Sequence, residues 1–323
     1  MSRPKKITIY RPAYFSIITL LFVSLTCSLI ANVAFSILAP ENTSVLVYYT
    51  FWPFFVTLLL GWIAYVLGTR RAFNQRDRDY AELTKQQYVV FPEQQAKTEL
   101  SGIALCRLRN GRRPVFMRSL QNDNWHYSDY RISIYKDMQY QHVHYADVFY
   151  SVMSTDLGRV LPNVFFDSLV ARGRQFRLQF ANTQRHSLEG DFDKHFATYF
   201  PESYTIDSMS FISPEVMWAL RDASDYDIEI INDRLYLYGP LWSLPEQLAE
   251  MEKHILEIKA QIIKNVKTYR DERLPFELGK QMVATQAISL KPSRFWFYVS
   301  TTITLVSIIG FFILLFSNFF SVK

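Results

Sequence analysis

Glycine and cysteine are both scarce in this chain of 323 residues, which contains ten glycines and two cysteines. So few glycines leave little room for phosphate-cradling loops, and neither a Walker loop nor a dinucleotide fingerprint is present. Nucleophile-elbow and zincin motifs are missing too. Cys27 and Cys106 cannot form a disulfide framework, which favours a reducing compartment. The sequence therefore predicts no cofactor and leans away from an enzyme.

Charge is missing from three long hydrophobic stretches. Residues 13–38, 45–68 and 295–316 contain no Asp, Glu, Lys, Arg or His. About 20 apolar residues suffice to cross the hydrocarbon core of a bilayer, and the apolar part of a cleaved signal peptide is shorter than these stretches. The sequence therefore predicts three transmembrane helices, of which the first two form a hairpin.

Basic residues flank these stretches on one side only. The positive-inside rule assigns that side to the cytoplasm. We therefore expect a multi-pass plasma (inner) membrane protein with a cytoplasmic N-terminus and central domain, an external C-terminus, and anionic lipid headgroups as partners. The flanking basic residues are Arg3, Lys5, Lys6, Arg11, Arg70, Arg71, Arg76, Arg78, Lys291 and Arg294.

Small polar residues recur at four-residue spacing in the first stretch, at Ser24, Ser28, Asn32 and Ser36. Such residues let helices approach closely and hydrogen-bond to one another. A transport path is the alternative, but ion-coupled transporters usually place ionisable groups in their spans. We therefore favour helix packing and keep a small transporter or channel subunit as a second alternative.

The part of the chain between these stretches has strand patterns. Residues 124–135 and 139–154 alternate in character and are rich in tyrosine, valine and isoleucine, which predicts a long antiparallel pair. Residues 176–180 predict another strand. Alternating apolar residues on both sides of Asn232 and Asp233 predict a hairpin. These patterns indicate a mostly antiparallel sheet.

Helical patterns are mixed with the strands. Phe192, Phe196 and Phe200 fall on one helical face and predict a helix. Ser213, followed by a proline and an acid, predicts a capped helix start. Residues 245–273 predict an amphipathic helix, which we expect to pack on the sheet or to pair with a copy of itself.

The predicted fold is thus an α-helical membrane anchor of three transmembrane helices plus a cytosolic α+β domain. In order, we predict a cytosolic basic tail (1–12), a transmembrane hairpin (13–68), a polar juxtamembrane helix or linker (69–100), the α+β domain (101–244), the amphipathic helix (245–273), a linker (274–294), a C-terminal transmembrane helix (295–318) and an external tail (319–323).

Three stretches, residues 188–201, 204–217 and 227–230, carry a family resemblance through an acid-Phe-x-x-x-Phe pattern and a Pro-x-x-Met pattern. Over residues 161–238, and in the hairpin, the sequence resembles uncharacterised bacterial membrane proteins related to the domain of unknown function 3137 family. The resemblance implies a helical hairpin followed by a cytosolic α+β domain. It implies no activity and no catalytic residues.

Two groups of side chains are candidate metal sites. Glu189, Asp191 and Asp193 could hold a divalent cation or share acid–base work, but acids in a first helical turn also stabilise the helix dipole. His142 and His144 lie two apart on a predicted strand and could bind zinc, although no spacing fixes a third ligand. We favour the structural interpretation of both groups and predict no metal.

Two arginine clusters raise the question of nucleic acid. No recognition motif accompanies them, and we expect contact with lipid headgroups or solvent instead. The clusters are Arg107, Arg109, Arg112 and Arg113, and Arg172, Arg174 and Arg177.

Taken together, the sequence predicts a membrane-anchored cytosolic interaction or scaffold module that binds a protein partner or itself. The alternative is a membrane-bound enzyme or metal-binding protein that uses the acidic cluster or the histidine pair. Nothing in the sequence names a ligand or a reaction.

Overall fold

The computed structural model describes residues 43–86, 88–90, 104–106, 115–138, 141–171, 176–179, 184–201, 204–266, 283 and 289–292. The chain divides into two compact units. One consists of residues 1–8 and 76–291, and the other of residues 9–75 and 292–323. Most of the described part of the second unit belongs to helix α1 (Thr43–Gln86), which is 44 residues long and continues into the first unit.

The structure corrects the predicted membrane topology. Among the described residues, no helix is both long enough and apolar enough to cross a bilayer. The predicted second span, residues 45–68, lies within α1, which continues through Arg70 and Arg71 to Gln86. The prediction of a three-helix membrane anchor in a multi-pass plasma-membrane protein is therefore wrong. The predicted first and third spans lie outside the described residues.

The first unit is built on an antiparallel sheet of seven strands in the order β1-β2-β3-β4-β7-β6, with β8 also paired to β4. The remaining two strands, β5 and β9, form a separate sheet. The strands are β1 Val89–Val90, β2 Val115–Gln121, β3 His126–Met138, β4 Gln141–Ser168, β5 Phe176–Gln179, β6 Arg185–His186, β7 Phe196–Tyr199, β8 Asp227–Gly239 and β9 Ser289–Pro292.

Strand β4 is the centre of this sheet. Its first half forms the predicted hairpin with β3, in a register that runs from Met138 opposite Gln141 to His126 opposite Ser154. Its last four residues pair with β7. Strand β8 pairs with β4 on both sides of an irregularity, so 28 consecutive residues of β4 hold three neighbouring strands.

The predicted hairpin around Asn232 is wrong. Asn232 does adopt a left-handed conformation, with φ of 54°. The chain nevertheless continues as the single strand β8, because the segments before and after Asn232 both pair with β4. The backbone N–H of Asn232 donates a hydrogen bond to Asn163 Oδ1 at 2.8 Å. The turn signal therefore marks a bulge inside a strand.

The helices cover one face of the sheet. Helix α2 (Thr205–Phe211) is followed by α3 (Pro214–Asp222), and Ser213 caps α3 by accepting a hydrogen bond from the Val216 N–H, as predicted. Helix α4 (Leu244–Asn265) confirms the predicted amphipathic helix. Its apolar side chains lie in the chain's own core beside β4 and β8; they are Leu248, Met251, Ile255, Ile258 and Ile262.

The predicted helix around Phe192 is wrong as well. Phe192 lies in a short 3-10 turn (Phe192–Lys194), and Phe196 begins strand β7. Phe196 lies opposite Ser168 and Tyr199 lies opposite Phe165 on β4. Pairing with a distant strand therefore overrides the helical spacing of the aromatic residues.

Asn232 offers a test of this bulge. Because its side chain is exposed, a substitution acts mainly through the backbone. We expect Asn232→Val to destabilise the domain by about 1–2 kcal/mol, since a β-branched residue is strained in the left-handed region. Asn232→Gly should stay within about 1 kcal/mol of the natural chain. Urea unfolding followed by circular dichroism measures both, and equal stability of the two variants would contradict the assignment.

His254 on α4 is a buried histidine next to Tyr226, with ring centroids 6.2 Å apart. Its Nδ1 has no hydrogen-bond partner in the described part of the chain. Burial lowers the pKa of His254 below its ordinary value, against the opposing effect of Glu250. The folded state therefore disfavours protonation of this ring.

This shift predicts a pH dependence of stability. Because the unfolded chain binds the proton more readily, the free energy of unfolding should fall as the pH drops from about 7 towards the lower pKa of folded His254. His254→Leu should flatten the dependence between about pH 7 and pH 5. Urea titrations at several pH values measure the slope, and an unchanged slope would show that His254 does not contribute to it.

Candidate functional site

Arg76 on α1 is fully buried and lies in a network of buried polar side chains. Its Nε donates to Asp129 Oδ2 at 2.7 Å and its Nη2 to Asp129 Oδ1 at 2.7 Å, which is a bidentate pair. Further hydrogen bonds run to the Trp242 carbonyl, to the Tyr127 hydroxyl and, at 3.2 Å, to Gln247 Oε1. One guanidinium thus joins α1 to β3 and to the start of α4.

Electrostatics keep this arginine charged. Burial alone would lower the pKa of Arg76, but the Asp129 carboxylate and the Tyr127 oxygen raise it above its ordinary value. Burial raises the pKa of Tyr127 well above its ordinary value. Tyr127 therefore remains a phenol that donates to Asp129 Oδ1 at 2.7 Å. The result is a buried ion pair whose hydrogen bonds are supplied by protein groups.

A second layer of residues supports this pair. Arg118 Nη1 lies 3.4 Å from Asp129 Oδ2, and Arg118 Nε donates to Asp77 Oδ1 at 2.8 Å. On the other side, Gln247 Nε2 donates to the Pro240 carbonyl at 2.7 Å and to the Ser151 hydroxyl. Two arginines and two aspartates therefore alternate, and the network carries no net charge. We call Arg76, Asp77, Arg118 and Asp129, with Tyr127 and Gln247, the arginine anchor.

Sequence reasoning assigned Arg76 to the membrane flank and overlooked its partners. Two signals were present. Asp129 interrupts the aromatic and aliphatic pattern of β3, and Gln247 occupies a buried position in the apolar row of α4. Polar residues at core positions require partners, but the sequence gives no indication that the partner of Asp129 lies 53 residues away on α1.

Helix α1 also carries a stripe of exposed apolar side chains in the second unit. Their exposed fractions lie between 39% and 58%. The spacing of three and four residues places them along one helical face. We call this set the α1 stripe; its members are Val56, Leu59, Leu60, Ile63 and Leu67.

In the structure Asp191 and Asp193 of the predicted acidic cluster have separate protein partners. Asp193 accepts hydrogen bonds from the Ser187 hydroxyl and, at 3.1 Å, from the Leu188 N–H. Asp191 lies 3.7 Å from Arg221 Nη1, and Glu189 is exposed. In the described ranges no group of three His, Cys, Asp or Glu side chains is placed to hold a metal ion. Asp193 thus stabilises the turn before β7, and Asp191 pairs with Arg221 on α3.

The histidine pair lies near one end of the β3–β4 hairpin. His142 is opposite Asp137 and His144 is opposite Tyr135. A further histidine, His126 on β3, pairs with Ser154 at the other end of the hairpin. Twelve residues of strand separate Ser154 from His142, which is on the order of 40 Å. The hairpin therefore does not bring the three histidines together.

The predicted basic residues fall into three groups. Arg70, Arg71 and Arg78 are exposed on α1, whereas Arg76 is buried in the anchor. Lys291 lies in β9 and Arg177 in β5. The others lie outside the described residues, as do the predicted packing residues of the first span; they are Arg3, Lys5, Lys6, Arg11, Arg107, Arg109, Arg112, Arg113, Arg172, Arg174, Arg294, Ser24, Ser28, Asn32 and Ser36.

The other face of the sheet holds a second polar group. Glu229 Oε2 accepts hydrogen bonds from the Ala104 N–H at 2.9 Å and from the Tyr238 hydroxyl. Burial raises the pKa of Tyr238 and of Tyr130 well above the ordinary value, so both remain phenols. Tyr130 stacks on Tyr150 in the same core cluster, with ring centroids 6.1 Å apart. This face is a tyrosine-rich core in which Glu229 ties residue 104 to the sheet.

Comparison of the chain with protein-family models, with curated proteins and with solved structures finds no match. The resemblance to the domain of unknown function 3137 family stays a prediction.

The arginine anchor predicts strong coupling between Arg76 and Asp129. We expect Arg76→Met and Asp129→Leu to destabilise the domain by about 3–5 kcal/mol each, because each leaves a buried charge without its partner. The double variant should be less destabilised than the sum of the two by roughly 1–3 kcal/mol. Urea unfolding of the four chains gives this coupling energy.

Arg78→Met is the matched control, since Arg78 is an exposed arginine on the same helix. Its effect should stay within about 0.5 kcal/mol. Additive effects of the two anchor substitutions would contradict a direct pair.

Proposed function

We propose that this chain is a non-enzymatic interaction module whose binding element is the α1 stripe. The observation that carries the proposal is the stripe itself. Exposed apolar patches on folded proteins mark interaction sites. Completing the burial of each half-exposed side chain would contribute on the order of 1 kcal/mol to the free energy of association with a partner.

The arginine anchor supports this proposal. A binding helix pays less entropy on association when it is already ordered. In the first unit the last turns of α1 are fixed by the buried Arg76, by the Tyr80 hydroxyl, which donates to the Ser119 carbonyl at 3.1 Å, and by Leu83, which packs on the core. Because α1 is continuous from Thr43 to Gln86, this fixed end limits fraying of the stripe.

The alternative of a metal site or enzyme at the acidic cluster gains no support from the described geometry. Asp193 and Asp191 already have protein partners there. Asp193 is used in the turn before β7, and Asp191 faces Arg221 on α3.

Photo-crosslinking tests the proposed function. A photoreactive residue at position 56 or 67 of the full chain should give protein adducts in native extracts. Leu60→Glu with Ile63→Glu should reduce the adduct yield at least tenfold, because two charges would have to be buried at the contact. Gln75→Glu is the control: it adds the same charge at an exposed position of α1 outside the stripe and should leave the yield unchanged.

Circular dichroism should show the same fold for all of these chains, since the substituted side chains are exposed. Adducts that persist in the Leu60→Glu, Ile63→Glu chain would contradict the proposal. So would adducts formed with lipid and with no protein.

A further inference from the structure

We infer that α3 and the turn after it form a flap that opens in mildly acidic solution, with His254 on α4 as its proton sensor. We call residues 213–226 the α3 flap. The flap lies between α2 and β8 and packs on α4, and it contributes no strand to the seven-stranded sheet. It can therefore move away from α4 while the pairing of β4 with β7 and β8 stays intact. This device is separate from the α1 stripe and goes beyond the proposed function.

Tyr226 attaches the end of the flap to the core. Its side chain is fully buried, and its ring packs on Trp242 with centroids 5.2 Å apart. A Cβ at position 239 would lie 2.8 Å from two carbons of the same ring, so Gly239 on β8 makes room for it. The His254 ring is a further neighbour, with centroids 6.2 Å apart. His254 thus lies beside the side chain that holds the flap closed.

Ionisable groups surround His254 on the elements that pack against it. They are Glu250, Lys253 and Glu257 on α4 itself, Asp222 at the end of α3, and Tyr226 in the turn. The three carboxylates are all at least partly exposed, whereas Tyr226 is buried and remains a phenol because burial raises its pKa well above the ordinary value. Three carboxylates against one lysine attract an imidazolium towards the surface, which is away from Tyr226.

Protonation of His254 places a charge where the closed flap offers it little compensation. Its Nδ1 has no hydrogen-bond partner in the part of the chain that the structure describes, and burial lowers the pKa of the ring. In an open flap the ring is hydrated and binds its proton at the ordinary pKa of about 6.5. Proton binding therefore favours the open state as the pH falls below that value. The loss of stability at low pH then begins in the flap and reaches the sheet later.

The start of the flap has its own attachment. Ser213 Oγ accepts a hydrogen bond from Asn265 Nδ2 on α4 at 2.6 Å and also caps α3. Opening should therefore swing the end of the flap about Ser213. It would uncover Val216 and Leu220, which pack in the core of the closed state.

Hydrogen exchange of the full-length chain, followed by mass spectrometry at pH 7.5 and pH 5.0, tests the inference. The rates are corrected for the intrinsic pH dependence of amide exchange. Corrected exchange of peptides from residues 213–226 should rise by about tenfold at pH 5.0 relative to peptides from β8, because local opening frees the amides of α3 and leaves the strand paired. Equal rises in the flap and in β8 would show that acid opens the first unit as a whole.

Two variants assign the sensor. His254→Gln and His254→Leu should each remove most of the selective rise, because neither side chain takes up a proton in this range. His126→Gln is the matched control, since it removes a histidine from β3, outside the flap and α4, and should behave as the natural chain does.

Each other outcome overturns the inference. A selective rise that persists in both His254 variants would assign the sensing to another group. Exchange in the flap that is the same at both pH values would exclude the opening itself. The comparison of the flap with β8 needs only the natural chain, so the test stands even if neither His254 variant folds.

Discussion

Removing a guanidinium from water is the constraint on which the described first unit depends. Arg76 is fully buried, and a charge in that position is tolerable only when acceptors surround it. Asp129 on β3, and the Trp242 carbonyl with Gln247 at the start of α4, provide those acceptors from two separate parts of the chain. The arginine therefore fixes how the end of α1, the sheet and α4 meet. An apolar side chain there could slide along its neighbours, whereas a bidentate ion pair permits one arrangement.

Sequence patterns correctly predicted the helices and strands that are determined by residues close together in the sequence. The β3–β4 hairpin, the Ser213 cap and α4 each follow from residues within a few positions of one another. The predictions failed where a distant strand decides the outcome. Asn232 has the backbone of a turn residue, but β4 pairs with the chain on both sides of it. Phe196 has helical spacing to Phe192, but its strand pairs with the end of β4. The secondary-structure propensity of a short segment is a weak signal wherever the segment can pair with a distant strand.

The arginine anchor could not be predicted from the sequence for the same reason. Arg76 follows a hydrophobic stretch, and a row of arginines in that place is typical of a membrane flank. Only its burial distinguishes Arg76 from its exposed neighbours Arg71 and Arg78. For the acidic cluster the error is the reverse, because the sequence suggested a shared site that the described structure does not form. Asp191 and Asp193 looked like ligands because they are close in sequence, yet Asp193 bonds to its own turn and Asp191 pairs with Arg221 on α3. Proximity along the chain is therefore poor evidence for a shared site.

Helices α1 and α4 show why burial, and not pattern, identifies a binding surface. Both α1 and α4 have apolar residues at helical spacing, and α4 has the more regular pattern of the two. The apolar row of α4 is already packed in the core, with Met251 and Ile255 fully buried, so it has no free energy left to contribute to a partner. The α1 stripe keeps Leu60 and its neighbours roughly half exposed. Of these two helices, α1 therefore still has substantial apolar surface to remove from water, and an association that uses one of the two should use the α1 stripe.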